Sequence, residues 1–166
     1  AAGYTDRPST YDFGNNVTIT NPYNGNNILL VKYNSSGVAQ WARTVTAGNS
    51  QSRFDSVSVA SDGSVYAAGY ITGTGTYDFG NSITSAGPCI GGNILLVKYD
   101  SSGVAQWART VTAGSFSSYL SSVSVASDGS VYAAGQIYGT GTYGFGNSVT
   151  TAGTDPSCNI LLVKYY

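Results

Sequence analysis

Residues 94–112, ILLVKYDSSGVAQWARTVT, decide the fold. They open with a nearly continuous apolar run, as expected of a strand covered on both faces. The run breaks at Asp100-Ser101-Ser102-Gly103, where Asp bonds its own backbone and Gly takes positive φ without a Cβ clash. A second strand follows. The same stretch stands at residues 28–46 with Asn34 in place of Asp100, and there Trp41, Arg43 and Val45 alternate with Gln40, Ala42 and Thr44. Such alternation marks a more exposed, outer strand.

The stretch opens a third time at Ile160 as ILLVKYY, so Ile28, Ile94 and Ile160 recur at a spacing of 66 residues. The register holds elsewhere. Gly37–Gly48 is identical to Gly103–Gly114, Ala60–Gly69 is identical to Ala126–Gly135, and Tyr11, Tyr77 and Tyr143 open YDFGN, YDFGN and YGFGN. The 166 residues therefore form one repeat domain of units 1–66 and 67–132 and a half unit 133–166. Within a cycle, strands are predicted at Ser121–Ala126, Ser130–Ile137, Ile94–Tyr99 and Val104–Thr112. The hairpin Ser127-Asp128-Gly129-Ser130 joins the first two. Asp62, Asp100 and Asp128 are read as turn formers, because the geometry of a tight turn accounts for them without a ligand.

Four antiparallel strands per cycle, repeated in tandem, predict an all-β fold: a β-propeller-like repeat of four-stranded antiparallel blades, two and a half 66-residue units per chain. The period exceeds the ~40–50 residues of common propeller repeats, and the excess lies in Gly73–Gly92 and its equivalents.

The succession ILLVKYDSSGVAQWARTV, SVSVASDGSVYAAGY and TGTYDFGNSIT resembles the bacterial extracellular β-propeller repeat called the SBBP repeat. The shared pattern is a KYDSSG turn, a following Trp, a DGSVY hairpin strand and a DFG-type loop. The resemblance covers essentially the whole chain and implies a secreted or surface propeller. It carries no catalytic residues and names no ligand. Two and a half copies are too few to close a ring of four to eight blades.

Composition excludes several classes of function. The chain has no His and no Glu, and its eight carboxylates are all Asp. That removes the commonest general base and most metal-ligand sets, so no enzyme, metal or cofactor is predicted. Seven Lys plus Arg in a chain of net charge −1 give no footprint for nucleic acid. No apolar run reaches the ~20 residues of a membrane span. The first residues, AAGYTDRPST, carry no basic and apolar leader, and the small residues there suit a cleaved signal; location outside the cell or on its surface is the expectation.

Trp41 and Trp107 occupy equivalent positions in the outer strand and are assigned to packing between sheets. Lys32, Lys98 and Lys164 are read as stems lying along apolar surface with solvated ammonium groups. Tyr11, Tyr23, Tyr77, Tyr138 and Tyr143, on Tyr-rich connections, are candidates for ligand or subunit contact. Cys89 and Cys158 fall in the variable part of successive long connections, at non-equivalent positions, and are candidates for a disulfide within or between chains. The segments 47–54 and 113–119 also diverge, which marks a solvent or contact face.

The incomplete terminal half units predict self-association, as a filament, a tube or a multi-chain propeller, because a stacked repeat leaves a face uncovered at each end. The primary expectation is a non-enzymatic structural protein whose partner is itself. The alternative is a lectin or adhesin binding glycans or surface proteins through its Tyr-rich loops.

Overall fold

The computed structural model describes residues 1–166 and contains sixteen strands and no helix. In chain order they are β1 (Ala2–Thr5), β2 (Thr10–Asp12), β3 (Thr18–Thr20), β4 (Asn27–Tyr33), β5 (Ala39–Arg43), β6 (Ser52–Val59), β7 (Val65–Thr72) and β8 (Thr76–Asp78). The second half comprises β9 (Thr84–Ala86), β10 (Gly92–Tyr99), β11 (Ala105–Arg109), β12 (Ser118–Val125), β13 (Val131–Tyr138), β14 (Thr142–Gly144), β15 (Thr150–Ala152) and β16 (Cys158–Tyr165). All pairings are antiparallel.

Three main sheets hold the repeat. The first has the order β1-β4-β5, the second β11-β10-β7-β6 and the third β12-β13-β16. Only the second carries all four strands of a cycle; the first has no strand equivalent to β6, and the third none equivalent to β11. The ILLVKY strand sits inside the second sheet and the AQWAR strand at its edge. The pairs β6-β7 and β12-β13 are bulged, between Phe54 and Ser56 and between Leu120 and Ser122, with β6 and β12 at the sheet edges. Gly69 lies opposite, where an added Cβ would collide with the carbonyl oxygen of Arg53. The chain crosses that point only without a side chain.

The sheets stack face to face, and the apolar run of β10 shows why. Leu95, Val97 and Tyr99 point into one cluster with Ile28, Leu30, Trp41 and Phe54, which joins the first and second sheets. Ile94 and Leu96 point into a second cluster with Leu120, Ala133, Leu161 and Val163, which joins the second and third. All five β10 residues are fully buried. At about 1.5–3 kcal/mol for each large apolar side chain buried, these joints are the main source of stability.

Polar contacts fix the stacking. Ser56 and Ser58 on β6 accept bonds from the N–H groups of Val123 (3.1 Å) and Val125 (3.2 Å) on β12. At the outer edge of the first joint, Trp41 Nε1 and Lys32 Nζ donate to the Ser101 carbonyl (3.1 and 2.9 Å), and Arg43 Nε donates to that of Gly103 (2.6 Å).

The long connections form three two-stranded hairpins, β2-β3, β8-β9 and β14-β15. Tyr77 and Phe79 enter the first joint, and Tyr143 and Phe145 enter the second. The hairpin tips hold paired residues at positive φ, such as Asn81 (54°) and Ser82 (59°), and the Asn81 amide donates to the Ala105 carbonyl at 3.0 Å. That bond ties the hairpin to the outer strand of its own sheet.

Candidate functional site

The outward face of the third sheet is the most unusual surface of the molecule. Ile28 and Leu30 are 0% and 1% exposed, and Ile94 and Leu96 are both 0% exposed, each pair being covered by the sheet that follows. Their equivalents Ile160 and Leu162 are 97% and 70% exposed. Tyr132 stands on the same face, while its equivalent Tyr66 is buried under the edge of Trp107.

The free edge of β16 belongs to the same region. In the other two sheets the equivalent edge pairs with an AQWAR strand, with Leu30 opposite Arg43 and Leu96 opposite Arg109. Tyr166 stands where Asn34 and Asp100 form their turns. There the side-chain oxygen accepts bonds from Ser36 and Val38, or from Ser102 and Val104. Arg43 lies over Trp41 as Arg109 lies over Trp107, each at 5.4 Å, and Arg43 and Lys32 also donate to a turn of the next sheet.

The tyrosine candidates divide. Tyr77 and Tyr143, predicted as ligand or subunit contacts, are fully buried, and that reading is corrected. Each ring fills a joint, lying against Gly48 or Gly114. The Tyr77 hydroxyl donates to the carbonyls of Thr72 (2.8 Å) and Gln51 (3.0 Å); that of Tyr143 donates to those of Tyr138 (2.7 Å) and Ser117 (3.1 Å). Burial pushes both phenols above their ordinary pKa. They act as bolts between connection and sheet. Tyr11 is half-buried, packed against the small cluster of Ile19, Val31 and Ala42, with its hydroxyl on the Arg7 carbonyl. Tyr23 is half-buried and its carbonyl accepts from the Asn27 amide. Tyr138 is half-buried and accepts a bond from Gln136.

Cys89 and Cys158 are free thiols, so no disulfide joins them within the chain. Cys89 is buried with its sulfur toward the Ser115 carbonyl, and Cys158 is exposed at the start of β16 beside Gln136.

Trp41 packs in the first joint, and Trp107 is half-buried against the second. Asp62 and Asp128 each accept the N–H and the hydroxyl of the Ser two residues on, Ser64 and Ser130. The backbone bond, then the hydroxyl, holds both carboxyls below the usual range. Asp100 accepts from Ser102 and Val104. No three His, Cys, Asp or Glu side chains gather where they would hold a metal, and no helix is long and apolar enough to cross a membrane.

Tyr70 and Tyr119, which the sequence does not single out, meet edge to face at 4.9 Å across the second joint. They differ from their equivalents in neighbouring units, Gln136 and Arg53, and that difference was the available signal. No family model and no curated protein matches the chain.

Proposed function

We propose that the protein is a non-enzymatic extracellular structural protein, a β-propeller-like repeat of SBBP type that assembles by stacking copies head to tail. The observation that carries the reading is the exposed pair Ile160 and Leu162, whose counterparts in both preceding sheets are buried by the next sheet. In the assembly, a second copy covers this face with the outer face of its first sheet, where half-buried Leu29 stands as Leu161 does inside the chain and Val31, the counterpart of Val163, already packs under the Tyr11 hairpin. The Tyr11 hairpin of that copy then occupies the place of the Tyr143 hairpin. The joint between molecules repeats the joint within them. Because each contact is heterologous, it propagates until rotation closes a ring or a fibre continues.

Burying Ile160 and Leu162 contributes about 3–6 kcal/mol, against an association cost of about 4–15 kcal/mol. Tyr132 and the surrounding sheet must add the remainder, so self-association is expected at micromolar concentrations or above. Sedimentation velocity across a concentration series tests this. The wild type should grow in mass with concentration, and the double variant Ile160→Lys/Leu162→Lys should stay monomeric. Ile90→Lys, at a residue equally exposed but off this face, should behave as wild type. A wild type that remains monomeric at millimolar concentration refutes the proposal.

A further inference from the structure

The tandem copies diverge in a spatially ordered way. Residues 35–48 and 101–114 are identical, as are 56–69 and 122–135, but the segments just beyond are not. NSQSRFD at 49–55 corresponds to SFSSYLS at 115–121, and YIT at 70–72 corresponds to QIY at 136–138. Strand pairing sets these variable pieces side by side, with Arg53 opposite Tyr70 and Tyr119 opposite Gln136. The constant scaffold thus carries a different mouth at each joint.

At the second joint that mouth is an aromatic groove. Tyr119 lies at its centre, edge to face with Tyr70 at 4.9 Å and with Tyr138 at 5.9 Å. Gly92 makes room for it, since a Cβ there would overlap the Tyr119 ring. Phe116, half exposed, lies over Gly139 and Gly141. Gln136 donates to the Tyr138 hydroxyl at 3.0 Å. Two adjoining open hollows of about 500 and 460 Å³ share Tyr119 and Gln136. The first joint differs: Arg53 lies over Tyr4 at 5.1 Å, and Ser50 and Asn26 replace Phe116 and Gly92.

We infer that this groove binds an uncharged oligosaccharide. Partly exposed rings offer flat apolar surface to the C–H faces of pyranoses, while the phenols and the Gln136 amide offer hydrogen bonds to hydroxyls. The only charges at the rim, Arg53 and Asp55, pair with each other, which leaves nothing to attract a polyanion. Asp55 and Ser121 sit at the strand bulges, a device that re-aims side chains beside a site. The groove lies within one chain, so its occupancy does not depend on assembly.

The test is calorimetric titration of the intact chain with cellohexaose, maltohexaose, laminarihexaose and chitohexaose. At least one should bind with Kd on the order of 100 µM, and the stacking-deficient Ile160→Lys/Leu162→Lys protein should bind it equally. The variant Phe116→Ser/Tyr119→Arg takes the residues of the first unit, which the same scaffold accommodates, and should bind at least tenfold more weakly. Tyr138→Thr, which takes the residue of the equivalent position Thr72, should weaken binding as well, and Tyr166→Ala should not. Absence of binding by all four sugars at millimolar concentration overturns the inference. So does binding that survives the double variant, or selective binding of a proline-rich peptide in their place.

Discussion

Leu96 and Leu162 are the same residue in the same ILLVKY strand, one 0% and the other 70% exposed, so truncating each to Ala isolates the contribution of the covering sheet. Leu96→Ala empties a position between Leu120, Ile137 and Leu161 in the second joint and should cost about 2–5 kcal/mol. Leu162→Ala removes a mostly solvated side chain and should cost less than about 1 kcal/mol in the monomer. With a urea slope of roughly 2 kcal/mol/M, the midpoint should fall by about 1–2.5 M for the first variant and less than about 0.5 M for the second. Trp107, packed at the second joint, provides the fluorescence signal in a dilute titration. At high concentration the ranking should change in one respect only: Leu162→Ala weakens association by about tenfold, as a loss of about 1.4 kcal/mol implies. Equal midpoint shifts for the two variants in dilute solution would refute the stacking account, because they would mean that no sheet covers Leu96 in solution.

Tyr99 is fully buried and its hydroxyl has no partner. Burial pushes its pKa far above the ordinary 10.0, so the stability it contributes is whole below pH 10 and is lost as pH rises toward the folded value. Tyr99→Phe should therefore equal or exceed wild-type stability at pH 7 and shift alkaline unfolding to higher pH, followed by circular dichroism; Tyr165, pushed up to about 12 by burial, continues to titrate in the variant. Trp41→Phe should destabilise by about 1 kcal/mol more than Trp107→Phe in urea titrations, since only Trp41 donates an indole bond across its joint, to Ser101. Thiol labelling of the native dilute protein should modify Cys158 rapidly and Cys89 only on unfolding, as read by peptide mass; rapid labelling of both would contradict the buried position of Cys89.

The strand pattern was legible because it is local. Predicted strands at Ile94–Tyr99 and Ser130–Ile137 match β10 and β13 within two residues, and the Asp-Gly and Ser-Gly turns lie between the paired strands as their chemistry requires. The continuous apolar run of ILLVKY correctly implied burial on both faces, though only in the second sheet is that burial complete. Tyr77 and Tyr143 were misread because a Gly- and Thr-rich neighbourhood resembles a solvated loop. The chain folds that loop back into a hairpin, and Gly48 and Gly114 open the space its tyrosine fills. The groove was hidden for a different reason. Tyr70 and Tyr119 belong to different sheets, and no periodicity within a strand reports which residues of two stacked sheets meet.

The most direct test of the structural role is cryo-electron microscopy of the concentrated protein, with its mass in solution measured on the same sample. The account predicts head-to-tail particles, rings or filaments, in which Ile160 and Leu162 of one copy lie against the outer face of the first sheet of the next, around Leu29 and the Tyr11 hairpin. Isolated molecules at that concentration, or particles joined through another surface with Ile160 and Leu162 still in solvent, would contradict it.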